Sequence, residues 1–120
     1  MARPRGPEQR APVKMRVNVG LMERLEALAK DRGCSVPKLL SRIMEEAVAE
    51  LPPDYQLHEM TDVYTLTKNH ALHLSGGRMN VYLLPGTQET MVELARQRNA
   101  SIGAVRTSFL LDYLDARGML

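Results

Sequence analysis

The sequence predicts a mainly α fold with a short two-stranded antiparallel ribbon, built from a strand–helix–helix unit that occurs twice in one chain. Three observations predict it. Two segments alternate apolar and polar residues with a period of two, each is followed by two stretches with apolar residues at helical spacing, and the two sets lie 66 residues apart. The chain has 120 residues, of which 44% are hydrophobic, enough for one modest core and too little for two independent domains. Only 4% of residues are aromatic and none is Trp, whereas Met occurs eight times, so Leu, Val, Ile, Met and Ala must build that core.

Residues 1–12 contain Pro4, Pro7, Pro12 and Gly6 without apolar periodicity and are expected to form a flexible basic arm. From residue 13 the pattern changes. Val13, Met15, Val17 and Val19 alternate with Lys14, Arg16 and Asn18, which predicts a strand with one apolar and one polar face, ended by Gly20. Leu21, Leu25, Leu28 and Ala29 then form a helical stripe that stops near Gly33, a residue suited to the left-handed C-terminal position. Ser35 is placed to cap a second helix, whose apolar face runs from Val36 through Leu39, Ile43 and Ala47 to Leu51 before Pro52 and Pro53 end it.

The second set repeats this order. Met79, Val81 and Leu83 alternate with Arg78, Asn80 and Tyr82, Pro85 and Gly86 are expected to make a break, and Thr87, Met91, Leu94 and Ala95 keep the spacing of the first helical stripe. Asn99 stands where Gly33 stood, Ser101 matches Ser35, and Ile102, Val105, Phe109, Leu110, Tyr113 and Leu114 repeat the offsets of the second helix. The predicted organisation is therefore an arm at 1–12 and a single domain at 13–120, with repeat one at 13–51, a connector at 52–77 and repeat two at 78–118. Neither copy has a partner for its strand, so the two strands are expected to pair antiparallel within one monomer, an intramolecular pseudo-dimer. Val13, Met15 and Val17 would join Met79, Val81 and Leu83 on the covered face. In the connector, Asp62 to Leu74 is expected to be partly helical, and Leu57, Met60, Val63 and Leu66 to pack on the body.

Two segments carry a family resemblance: KMRVNVGLMERLEALAKDRGCSVPKLLSRIMEEAVAEL and, more weakly, RMNVYLLPGTQETMVELARQRNASIGAVRTSFLLDYLDARG. They resemble the ribbon-helix-helix family of DNA-binding proteins over about 80 of the 120 residues. The second segment departs from the family at Arg106, where an apolar residue is usual, and at Asn99 in place of the turn glycine. Tandem copies in one chain are similar to the accessory proteins of conjugative DNA transfer. The resemblance thus implies a sequence-selective duplex-DNA-binding protein acting in plasmid or T-DNA processing and transfer, with a relaxase or other DNA-transfer proteins as partners. A transcriptional repressor using the same surface is the alternative, and a protein-interaction module with an inert ribbon is a third reading.

The residues support DNA contact on physical grounds as well. An antiparallel ribbon fits the major groove, where Arg pairs with guanine and Asn with adenine. The polar face offers Lys14, Arg16, Asn18, Arg78, Asn80 and Tyr82 as base readers, and none of these six positions is an acid in a chain with 14 Asp and Glu. Any exposed ribbon needs outward polar residues, so it is the missing acids that favour the functional reading. Phosphate contacts are expected at the second-helix N-termini, through Ser35, Val36 and Lys38 in one copy and Ser101 and Ile102 in the other, although both serines would serve equally as plain caps. Arg3, Arg5 and Arg10 of the arm are expected to add to them; residues 1–16 carry a local charge of +4 within a net charge of +2.

Enzyme chemistry is not expected. His70 and His73 form an H-x-x-H spacing, but only His58 is available to join them, and Cys34 has no base partner. No cofactor is expected, and Ser75 to Gly77 lacks the Lys of a phosphate loop. The single cysteine fits a reducing compartment, and no apolar run reaches the length of a membrane span, so a cytoplasmic protein is expected with no membrane contact.

Overall fold

The computed structural model describes residues 9–58 and 78–119. The described chain runs β1 (Ala11–Met15), α1 (Val19–Arg32), α2 (Val36–Ala49), β2 (Met79–Leu83), α3 (Pro85–Gln97) and α4 (Ile102–Asp115). It is mostly helical with one two-stranded antiparallel sheet, as the hydrophobic periods predict. None of the described helices is long and apolar enough to cross a membrane.

The strands pair with Val13 opposite Val81, Lys14 opposite Asn80, Met15 opposite Met79 and Pro12 opposite Tyr82. One side chain in two therefore faces the helices, and Met15, Val81 and Leu83 are buried there. The first strand is displaced from its predicted span. It takes in Ala11 and Pro12, which the sequence reading gave to the arm, and stops at Met15. The cause is Asn18, whose side-chain oxygen accepts the Leu21 N–H at 3.2 Å and starts α1 at Val19. Val17 still points into the core, at 2% exposure, but Gly20 lies buried inside the helix and does not end a strand.

The core fills the space between ribbon and helices. Leu21 and Leu25 of α1, Leu39, Leu40, Ile43 and Met44 of α2, Met91 of α3, and Val105, Leu111 and Leu114 of α4 are essentially inaccessible. Burying each such Leu, Ile, Val or Met side chain is worth about 1.5–3 kcal/mol. The helix α2 lies against β2, which follows it by some 30 residues, and two side chains fasten it there. The Ser41 hydroxyl donates to the Tyr82 carbonyl at 2.6 Å, and the Leu84 N–H donates to the Glu45 carboxylate at 3.2 Å.

Both turns between helices close in the same way. Gly33 has φ +64°, with its N–H on Lys30 O at 3.2 Å and the Cys34 N–H on Ala29 O at 3.0 Å. Sixty-six residues on, Asn99 has φ +52°, with its N–H on Arg96 O at 3.2 Å and the Ala100 N–H on Ala95 O at 2.9 Å. Ser35 and Ser101 cap α2 and α4, accepting from Lys38 N–H at 3.3 Å and Ala104 N–H at 3.1 Å. Pro85 and Gly86, expected to break the chain, form the first turn of α3, where the missing proline N–H costs nothing.

After α2 the chain returns over α4. The Tyr55 ring meets Phe109 edge-on at 5.5 Å, and its hydroxyl donates to Asp112. Burial first, and that carboxylate second, push the Tyr55 phenol above its ordinary value. The His58 N–H donates to Ser108 Oγ at 2.6 Å, and its Nε2 lies 2.7 Å from Asp112 Oδ1. Leu57 packs against the core as expected. The expected helix at Asp62 to Leu74, Met60, Val63 and Leu66, the pair His70 and His73, and Ser75 to Gly77 lie outside the described residues.

Candidate nucleic-acid interface

The outward face of the ribbon is where alternation along the strands sends Lys14, Asn80 and Tyr82. All three are exposed, Tyr82 by 52%. Arg16 and Arg78, also exposed, leave the two strands at the same end, just beyond the Met15–Met79 pair. Among the described residues this face carries no carboxylate. It is held from beneath by Ser41 on the Tyr82 carbonyl and by Arg106 Nη1, which donates to the Lys14 carbonyl at 3.4 Å. The backbone that carries the outward side chains is thereby tied to α2 at Tyr82, and α4 touches it through the long Arg106 contact.

Asn18 does not belong to this face. It is 7% exposed, and its side chain is turned onto the first turn of α1, so it serves as a helix cap where the period-two pattern made it a base reader. Arg10, expected to reach DNA from a flexible arm, is likewise engaged. Its Nε and Nη2 donate to the two Glu45 carboxylate oxygens at 2.9 and 2.8 Å. This hydrogen-bonded pairing holds the Glu45 carboxyl below the usual carboxylate range, with the Leu84 N–H adding to the shift. Arg3 and Arg5 lie outside the described residues.

Between β2 and α2 runs a groove of about 550 Å³, lined among others by Ser35, Lys38, Arg42, Asn80 and Tyr82. Lys38 and Arg42 are exposed, one helical turn apart on one face of α2. Arg42 was missed in the sequence reading; its place four residues after Lys38, in a helix capped by Ser35, was the available signal. The N-terminus of α2 itself offers little to an anion. Pro37 has no N–H, the Lys38 N–H is taken by Ser35, and Val36 is half-buried. At α4, Ser101 caps Ala104 in the same manner and Ile102 is half-buried. No group of three or more His, Cys, Asp or Glu stands together to hold a metal among the described residues.

Comparison of the chain with protein-family models, with curated proteins and with solved structures finds no match.

Proposed function

We propose that the chain binds duplex DNA and reads it with the outward face of the β1–β2 ribbon laid in the major groove. The observation that carries this reading is the composition of that face: Lys14, Asn80 and Tyr82 on the two paired strands, and Arg16 and Arg78 just beyond their Met15–Met79 end, are exposed together, with no acid among them. The groove is about 12 Å wide and admits a two-stranded ribbon, and its base edges match these side chains. Arg16 and Arg78 suit guanine, Asn80 suits adenine, Lys14 suits a guanine or a phosphate, and Tyr82 suits a thymine methyl or a phosphate. The two strands present different residues, so the target need not be a palindrome.

The resemblance to tandem ribbon-helix-helix proteins supports a role as an accessory factor in plasmid or T-DNA processing, in which the bound protein positions DNA for a relaxase. A repressor would use the same face; the genomic location of the preferred site separates the two. The test is selection of duplexes from a random pool, followed by binding of wild type, Arg16→Ala/Arg78→Ala and Asn80→Ala to the selected and to mixed-sequence DNA. Each lost bidentate contact should lower the preference by about 1–3 kcal/mol, or roughly 5- to 150-fold. Unchanged preference in all variants, or no duplex bound at low salt, would leave the ribbon inert and make a protein partner the occupant of the molecule's surface.

A further inference from the structure

We infer that the two flanks of the ribbon hold DNA by different means, so that the protein sits on its site in one orientation: Lys38 and Arg42 of α2 grip the sugar–phosphate backbone on one side, and Lys14 and Arg16 of the ribbon reach base edges on the other. The inference rests on the reading of the ribbon as a DNA reader and adds to it a polarity.

Positions 66 residues apart show the asymmetry. Beside β2, the helix carries charge and the strand positions facing it do not: Lys38 and Arg42 stand over Asn80 and Tyr82 across the groove, while Arg78 lies beyond the Met79 end of that strand. Beside β1, the arrangement is reversed. Lys14 and Arg16 occupy the strand positions of Asn80 and Tyr82, and Ala104 and Ser108 occupy the helix positions of Lys38 and Arg42. Ser108 is fully buried and accepts the His58 N–H, so it offers nothing outward. The cation in the first two turns of α4, Arg106, is half-buried and turned beneath the strand onto the Lys14 carbonyl. The residues 54–58 pack beside Ala104 and Arg98 and bring Asp54 to that side.

The carboxylate in the α2 groove does not oppose a phosphate there. Glu45 is matched by the bidentate Arg10 and by the Leu84 N–H, which leaves Lys38 and Arg42 without a paired acid among the described residues. A cation on a flanking helix stands off from the groove floor and meets phosphates, which set position and register. A cation on the ribbon meets base edges, which set sequence. One molecule thus combines a backbone grip at one end with base readout by charge at the other.

The experiment measures duplex affinity across a salt series for wild type, Lys38→Ala/Arg42→Ala and the control Lys30→Ala, an exposed residue of α1, together with phosphate-ethylation interference on the selected duplex. Two lost phosphate contacts should reduce the log–log salt slope by about 1.8, so a fourfold rise in salt weakens the double variant about 12-fold less than wild type. The ratio of selected to mixed-sequence affinity should stay as in wild type, the control should keep the wild-type slope, and interference should crowd on one side of the site. Interference spread evenly over both sides, or a double variant with the wild-type slope, overturns the polarity while selective binding by wild type keeps the ribbon reading intact. A wild type that binds no duplex overturns both.

Discussion

Arg10 and Glu45, 35 residues apart in the chain, meet side on, with Nε and Nη2 of the guanidinium 2.9 and 2.8 Å from the two carboxylate oxygens. The same carboxylate accepts the Leu84 N–H, so one side chain of α2 ties the residue before β1 to the residue after β2. The ribbon end that lacks outward cations is closed by this clamp.

The clamp should make stability depend on pH in a defined direction. Glu45 titrates below its ordinary value of 4.5 in the folded chain, chiefly because of Arg10. Between the folded and unfolded values the unfolded chain binds more protons, so the contribution is complete above about pH 4.5 and is lost as pH falls through the folded value. Urea unfolding of wild type and Glu45→Gln at pH 7 and pH 3 tests it. At pH 7 the variant should be less stable by about 1 kcal/mol, the usual net worth of such hydrogen bonds, and the gap should narrow at pH 3. A gap of the same size at both values would mean that the carboxylate charge contributes nothing.

Asn18 offers a way to tell a cap from a base reader. Asn18→Ala should cost about 1 kcal/mol by leaving the Leu21 N–H without its acceptor, and Asn18→Ser should restore most of it, since serine caps about as well. Neither change should alter which duplex is preferred, because the side chain is covered and turned inward. Loss of preference in a stably folded Asn18→Ser variant would return this residue to the DNA-reading face.

Where the chain's own neighbours decide a conformation, the sequence was sufficient. The stripe of Leu21, Leu25, Leu28 and Ala29, the serine caps and the left-handed Gly33 and Asn99 are local, and each is found where its spacing placed it. The limits of β1 were not local in this sense. Val17 keeps the alternation going, and only the competing hydrogen bond of Asn18 converts the next residues to helix. The pairing of Arg10 was not legible for the same reason, because its partner lies on another element and no spacing announces Glu45. The outward positions of Lys14, Asn80 and Tyr82 were legible because a period of two fixes faces even when the strand ends shift. The groove beside α2 was not, since it exists only once α2 has crossed β2.

Arg106 carries the last prediction. It stands 66 residues after Leu40, which is fully buried, and its half-buried guanidinium meets no carboxylate among the described residues; burial lowers its affinity for the proton. Its Nε is buried without a hydrogen-bond partner among the described residues, and its bond to the Lys14 carbonyl is long at 3.4 Å. An unmet buried donor costs about 1–3 kcal/mol, so Arg106→Met, which keeps the length of the side chain and removes the charge, should raise stability by about 1 kcal/mol in urea unfolding. The same variant should bind duplex DNA more weakly, because it removes the cation lying under Lys14 on the flank where α4 supplies no other. A more stable variant with weaker DNA binding would identify Arg106 as a charge retained for function at a cost to the fold. A variant less stable than wild type would show instead that the bond to Lys14 secures the ribbon, and that Leu40 is a poor guide to what position 106 requires.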